Sequence, residues 1–386
     1  MGLFHPAVLA NKGYAMKKWL RIKWLALGAM SALALAACAV DSDENAPVEN
    51  DGIIAEQAVD PAAGDVKVEL SALSAVVAAE EGVLLNLSFT NVSARPVKII
   101  GYFAPDTELE ENVFEVKRGS ESSEFIGPHY KRPAPAQEDF LVLAPGKTIT
   151  RTVDIEGFYD LTQTGDYRLR YTVDLLTKDA AQAVKIASNE VGVWIEGRAN
   201  PTHPSAAPDS GGVSSVAGTT FTKCTVTQQA TATDALNAAR AMANDANTYF
   251  GQNSSATQRY TTWFGAYSSS GWNTVQSHFT NVKSALETQT VNIDCGCKKT
   301  YYAYVYPNQP YNIYVCKAFW SAPMTGTDSK GGTLIHETSH FTVVAGTDDY
   351  VYGQSGAKSL AISDPAKARM NADSHEYFAE NTPAQQ

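Results

Sequence analysis

From Val66 to about Ile195 the apolar residues fall at every second position. Val83, Leu85, Leu87 and Phe89 alternate with other side chains, as do Tyr167, Leu169, Tyr171 and Val173. A period of two places one face of a strand on a core. Further strands are expected near Val97–Phe103, Asn112–Lys117, Phe140–Leu143, Thr148–Ile155 and Val184–Ile195. Turn sequences such as Ala144-Pro145-Gly146 and Thr164-Gly165-Asp166 separate them. Residues 66–198 therefore read as an all-β, antiparallel sandwich of about seven strands, immunoglobulin-like in outline. The span holds no cysteine, so its core alone must hold it, and its length suffices for that.

Past residue 218 the period changes. Thr231–Phe250 and Trp272–Thr288 carry apolar residues at three- and four-residue intervals, which predicts helices. Short strands are expected at Tyr301–Tyr306 and Asn312–Cys316. Helices are expected over Thr327–Val344, Ser355–Ile362 and Pro365–Glu380. The chain thus reads as two domains, the second (219–386) mainly α with some strand. Residues 199–218, rich in Pro, Ser, Ala and Gly, form the linker between them. Residues 39–65 are acidic and Ala/Pro-rich and read as a disordered tether.

Residues 1–38 read as an export signal. A basic stretch opens at Met16-Lys17-Lys18, the expected true start, and the apolar run Trp24–Ala37 follows. The run ends in Leu35-Ala36-Ala37-Cys38, a lipobox that predicts lipidation of Cys38. The alternative is ordinary secretory cleavage at Ala34-Leu35-Ala36. No second apolar stretch is long enough to span a membrane.

Charge and cysteines narrow the class. The chain holds 41 acids and 30 bases, of which 12 and 11 lie from Thr219 onward, so the front part carries about ten of the eleven net negative charges. An acidic chain without a basic patch is no nucleic-acid binder. With Cys38 assigned to export, Cys224, Cys295, Cys297 and Cys316 remain, and four cysteines allow three pairings. A direct Cys295–Cys297 bridge is strained, and the spacing lacks the C-x-x-C of thiolate zinc sites. Four bridging cysteines in one domain suit an oxidising space.

The candidate chemistry begins at His336-Glu337-Thr338-Ser339-His340. Histidines four apart share a helix face and can meet one metal ion, with the glutamate beside them facing the water there. Zinc needs a third protein ligand and an open fourth position. Position 346 is Gly, so no third histidine stands at the usual spacing. Gly346-Thr347-Asp348-Asp349-Tyr350-Val351-Tyr352-Gly353 follows instead. Gly346 can reverse the chain and return an aspartate to the histidines. Spacing alone leaves Asp348 and Asp349 open as ligand, and Tyr350 and Tyr352 open as oxyanion donor. Asp373 and Glu376 share a helix face. In a pocket, such a pair suits an ammonium group. Glu376 as a metal ligand and a merely exposed acidic face are the other readings. His375 between them points elsewhere and reads as a structural or surface residue rather than a ligand.

H-E-x-x-H followed by G-T-x-D-x-x-Y-G resembles the aspzincins, the deuterolysin group of zinc endopeptidases, and within them the peptidyl-Lys metalloendopeptidases. The likeness runs from about Thr220 to Gln386. It includes Arg259-Tyr260-Thr261-Thr262-Trp263-Phe264-Gly265, Ala303-Tyr304-Val305-Tyr306-Pro307-Asn308, Ala318-Phe319-Trp320, Gly326-Thr327-Asp328-Ser329 and Met370-Asn371-Ala372-Asp373-Ser374-His375-Glu376-Tyr377-Phe378. The resemblance implies a zincin-type α+β catalytic domain with one Zn²⁺ per chain on His336, His340 and Asp349. It implies Glu337 as the base that activates a water held by zinc, and Tyr352 as the oxyanion donor. Asp373 and Glu376 would bind the lysine on whose amino side the bond is cut, and the disulfides would be Cys224–Cys295 and Cys297–Cys316. In related peptidases the front segment is a propeptide, with the mature start here near Thr219 or Thr220; a permanent spacer is the alternative.

The expected function is a zinc endopeptidase acting at X-Lys bonds. A deuterolysin-like enzyme of broader specificity and a non-catalytic, surface-binding lipoprotein are the alternatives. Expected partners are protein or peptide substrates, and a membrane only through lipid on Cys38. The expected form is an exported monomer, a bacterial lipoprotein of the cell envelope or a protein secreted after processing.

Overall fold

The computed structural model describes residues 57–106, 108–175, 183–200, 214–216 and 218–386. The leader with Cys38 and most of the tether and linker lie outside the described residues. Among those described, no helix is long and apolar enough to cross a membrane.

In chain order the front half forms β1 (Val66–Ala72), β2 (Val76–Val77), β3 (Leu84–Asn91), β4 (Val97–Ile100), β5 (Phe114–Arg118), β6 (Glu121–Ser122), β7 (His129–Lys131), β8 (Phe140–Leu143), β9 (Thr148–Asp154), β10 (Gly165–Leu175) and β11 (Val184–Ile195). Two sheets, β1-β3-β9 and β2-β11-β10-β5-β6, share one apolar core, with the pair β4-β8 beside them. The alternation explains the packing. Leu85, Leu87 and Phe89 point inward from β3, and Tyr167, Leu169 and Tyr171 from β10. Each fully buried Leu or Phe contributes about 1.5–3 kcal/mol.

Three expectations need correction here. The sandwich is not wholly antiparallel, because β2 runs parallel to β11, pairing Val76 with Trp194. Ordered chain begins before residue 66, since Val59 bridges Val97. Most consequentially, β7 leaves the sandwich and joins the sheet of the other half.

The second half continues with β12 (Ser214–Val216) and β13 (Thr219–Thr222), so the end of the expected linker is strand. Helices α1 (Val226–Gln252), α2 (Gln258–Phe264) and α3 (Ser269–Thr288) follow. Next come β14 (Val291–Asp294), β15 (Ala303–Val305) and β16 (Asn312–Val315). The chain ends with α4 (Lys317–Ser321), α5 (Lys330–His340), α6 (Gly353–Ser363), α7 (Pro365–Ala368) and α8 (Ala372–Glu380). The mixed sheet runs β12-β13-β14-β16-β15-β7. Disulfides join Cys224 to Cys295 and Cys297 to Cys316, tying the β13–α1 junction to the end of β14 and the end of β16 to the loop ahead of β15.

The active-site helix is shorter than its pattern. Ser329 caps it by accepting from Gly332 N at 2.9 Å, and Phe341 leaves helical geometry at φ −57°, ψ 125°. Small residues let its neighbours come close. A Cβ on Gly331 would sit 3.0 Å from Ala238 Cβ of α1, and one on Gly332 would strike the Glu380 carboxylate of α8. The single helix expected over Pro365–Glu380 is two, broken at Arg369–Asn371. There Asn371 Oδ1 accepts from Tyr350 N at 3.0 Å and Val351 N at 3.2 Å, bonds that hold the segment following the active-site helix.

Candidate active site

Three elements build the site: α5, the segment Gly346–Tyr352, and α8. On α5, His336 and His340 are fully buried with ring centroids 4.8 Å apart. Gly346, at φ 57°, turns the chain back. Thr347 N then donates to Ser339 O at 3.1 Å, and Asp348 N to Met370 O at 2.7 Å. These bonds bring Asp349 between the histidines. Its Oδ1 lies 3.2 Å from His336 Nε2 and its Oδ2 3.3 Å from His340 Nε2.

None of these four atoms has a hydrogen-bond partner, although all are buried. Unpartnered buried donors and acceptors are costly unless something else satisfies them. Two imidazoles and a carboxylate converging in this way fit a tetrahedral metal site with three protein ligands. The second ring nitrogens fit as well. His340 Nδ1 donates to Thr347 O at 2.8 Å, which leaves Nε2 with its lone pair. His336 Nδ1 lies 2.9 Å from Asp373 Oδ1 and 3.3 Å from Glu376 Oε2. Burial disfavours a cation at His336, but Asp349 and these carboxylates outweigh it and hold its pKa well above the ordinary value.

Glu337 is buried beside this cluster, and burial pushes its carboxyl up to about 8. Its Oε1 accepts from Lys131 N at 3.3 Å, while its Oε2 has no partner. Tyr352 and Tyr350 have different surroundings. Tyr350 packs with Leu360, Ala361 and Ala368 and lines the same cleft as Asp349. Tyr352 is buried and donates to Glu111 Oε1 of the front half at 3.1 Å. Asp348 accepts from Asp349 N at 2.8 Å, and its Oδ1 lies 3.6 Å from Nδ1 of His129, a front-half residue whose ring is 4.7 Å from that of His340. A cleft of about 570 Å³ between the halves opens along Asp348 and Asp349.

Asp373 and Glu376 are fully buried, not an exposed acidic face. Between them sits the ammonium of Lys131, with Nζ 2.8 Å from Asp373 Oδ1 and 2.9 Å from Glu376 Oε2. Asp373 Oδ2 accepts from Gly353 N at 2.6 Å. A third carboxylate, Asp328, lies 3.1 Å from the same ammonium, and Tyr377 OH donates to it at 2.7 Å. Glu380 positions Asp328 by accepting from Asp328 N at 3.2 Å and Ser329 N at 2.8 Å. Burial opposes the charge on Lys131, yet Asp373, Glu376, Tyr377 and Asp328 hold its pKa well above the usual lysine value. His375 faces away and is structural, its Nδ1 2.9 Å from Asn371 O and its Nε2 3.0 Å from His278 Nδ1.

Sequence reasoning missed Asp328, His129 and Lys131. Asp328 stands in a stretch already singled out for resemblance, and its proximity to the helix cap was the available signal. Nothing near positions 129–131 hinted at a role.

The arrangement predicts a clean separation of ligand from base. Asp349→Ala should weaken metal binding by at least about 10–100-fold, read by competition with a chelator, because it opens one of three ligand positions. Unchanged affinity would remove Asp349 from the ligand set.

Comparison with known proteins agrees in kind. The sequence profile of the family described as lysine-specific metallo-endopeptidase matches residues 249–380. An extracellular protease of Aeromonas hydrophila is 40% identical over 319 residues, covering 81% of this chain and 92% of that protein. A peptidyl-Lys metalloendopeptidase of Grifola frondosa is 39% identical over 280 residues, covering 69% of this chain and 78% of its own length. Another, of Pleurotus ostreatus, is 51% identical over 166 residues, which are 43% of this chain and 98% of that protein.

Proposed function

The chain belongs to the aspzincin family of metalloendopeptidases, and on that premise we propose that it cuts peptide bonds on the amino side of lysine. The observation that carries this reading is the buried ammonium of Lys131 among Asp373, Glu376 and Asp328. A lysine ammonium is a strongly hydrated point charge and must be met by carboxylates once desolvated. Its α-nitrogen lies 3.3 Å from Glu337 Oε1. A substrate lysine in the same place would present its scissile nitrogen to that carboxylate.

His336, His340 and Asp349 would hold one zinc ion, which supplies Lewis acidity that acidifies water and polarises the scissile carbonyl. Glu337 would take a proton from the attacking water and return it to the lysine nitrogen as the C–N bond breaks. Tyr352, once its hydroxyl is free of Glu111, would donate to the oxyanion. Asp373 and Glu376 would have two duties, the lysine ammonium on one side and His336 Nδ1 on the other.

The test is to digest denatured proteins with the processed enzyme and read the new N-termini by mass spectrometry. Lysine should begin nearly every product. Products beginning with many residue types would instead support a broad, deuterolysin-like peptidase.

The same proposal covers the front half. We read it as an immunoglobulin-like pro-domain, removed by cleavage between about residues 199 and 223. The Pleurotus relative is matched over nearly its whole length by less than half of this chain, which supports a protease domain that works alone. Active enzyme that still carried residues 66–198 would support the permanent spacer instead. Export follows from the two disulfides and the extracellular relative. Lipidation at Cys38 is part of the same reading, checked by the mass of the N-terminal peptide.

A further inference from the structure

Once residues 66–198 are gone, a line of tyrosines stands bare at the rim of the catalytic sheet. In the intact chain β15 pairs on one side with β16, which sets Tyr304 opposite Tyr314. On its other side it pairs with β7, which sets Tyr130 opposite Tyr304. Side chains directly opposite on neighbouring strands share a face and interact, so these three tyrosines are successive rungs of one ladder. The other face of β15 carries Ala303 and Val305, which are buried in the same core as Leu334 and Ile335 of α5. The tyrosine ladder therefore lies on the side of the sheet turned away from the active-site helix.

The catalytic half sets these rings by itself. Tyr304 and Tyr314 stack at 4.6 Å with their planes 8° apart, and Tyr306 meets both edge-on at 6.0 and 6.1 Å. Tyr301 stands beside them on a backbone held by Ala318 N, which donates to Tyr301 O at 3.0 Å. Even with β7 in place, Tyr301, Tyr304 and Tyr306 are only half-buried. Tyr130 fills the space they leave, edge-on to Tyr301 at 5.1 Å and tilted on Tyr304 at 5.5 Å, and is itself buried. Rings gathered at an exposed sheet rim mark a surface that binds something.

We propose that Tyr304, backed by Tyr314, and Tyr301 form a subsite for the residue before the lysine, and that the enzyme favours an aromatic side chain there. The inference rests on the X-Lys reading above, and it takes from β7 only the course of an extended chain along the β15 edge. A peptide that adds to a sheet edge draws affinity from main-chain bonds and specificity from alternate side chains. With the lysine turned to the carboxylates on the α5 side, the side chain before it must turn to the opposite face, because successive side chains of a strand alternate. There it meets the edge of Tyr301 and the face of Tyr304. Aromatic pairs in such contacts add to the gain from burying their surface, and the negative ring faces disfavour a carboxylate.

The experiment uses the active, processed enzyme and peptides that differ only in the residue before lysine: Tyr, Phe, cyclohexylalanine, Ala or Asp. The kcat/KM for Tyr-Lys and Phe-Lys should exceed that for Ala-Lys by at least about 2–13-fold, the worth of one aromatic pair, with Asp-Lys the slowest. Phe should also surpass cyclohexylalanine, which has nearly its size but no ring quadrupole. In Tyr301→Ala and Tyr304→Leu the ratio of Tyr-Lys to Ala-Lys should fall towards one. Should the strand variant not fold, Tyr301→Ala, which lies ahead of β15, carries the test. Equal rates for Tyr-Lys and Ala-Lys in the unmodified enzyme would overturn the subsite, as would a ratio that survives both substitutions. Equal rates for Phe and cyclohexylalanine would overturn the aromatic preference. The underlying reading fails separately: a Tyr-norleucine peptide cut as fast as Tyr-Lys would refute the lysine specificity, while the ratio of Tyr to Ala at the preceding position would still decide the subsite.

Discussion

Glu337→Gln in the processed enzyme should slow hydrolysis of an X-Lys peptide by roughly 10²–10⁴-fold, the usual worth of a positioned general base. Fold and metal content should not change. Glutamine has the same shape and can still accept from the N–H of a substrate lysine placed as Lys131 is in the intact chain. It cannot carry a proton from water to the leaving nitrogen. The metal stays because the converging, unpartnered atoms belong to His336, His340 and Asp349, and Glu337 lies beside that set. The measurement pairs turnover with metal content by atomic absorption. A variant that kept near-normal turnover would displace Glu337 from the chemistry. One that lost its metal would make it a ligand.

The contrast with Asp349→Ala shows why this part of the site was legible in the sequence. His336, Glu337, His340 and Asp349 lie within a short stretch, and helical spacing followed by a glycine turn constrains them tightly. Asp373 and Glu376 were legible as a shared helix face, but their contact with His336 Nδ1 was not, because it depends on how close α8 comes to α5 across Gly332. Asp328 was harder still. It is a single loop acid whose direction is set by a left-handed backbone, φ 50°, and by bonds from Ser329 and its own N–H to Glu380.

The fold shows the same limit. Long alternating strands such as β3 and β10 and long helices such as α1 and α3 announce themselves by period. The strands Thr219–Thr222 and Val291–Asp294 were not read, because each is only four residues long. The break at Arg369–Asn371 was not read, because Asn371 is taken from the helix by long-range bonds to Tyr350 and Val351. Residues 129–131 were beyond reach altogether. Their partners lie roughly 170 to 250 positions away, and no local pattern records that pairing.

Asp373→Asn should depress cleavage before lysine by hundreds- to thousands-fold, since removing one partner of a buried ion pair costs about 3–5 kcal/mol. The structure adds a second loss. Asp373 Oδ1 also lies 2.9 Å from His336 Nδ1, so the variant should hold metal about 10–100-fold more weakly. Those two effects are entangled at Asp373 and again at Glu376. Asp328 separates them. It faces the ammonium at 3.1 Å and Tyr377 OH at 2.7 Å, makes no contact with His336, and is only half-buried. Asparagine tolerates the left-handed backbone there. Asp328→Asn should therefore cost about 1–3 kcal/mol in lysine binding, read as a raised KM for X-Lys peptides with metal affinity unchanged. Measuring both variants for both properties tests the division of labour. If Asp328→Asn loosened the metal as much as Asp373→Asn, the three carboxylates would be one undivided electrostatic unit, and a distinct lysine pocket would have to be abandoned.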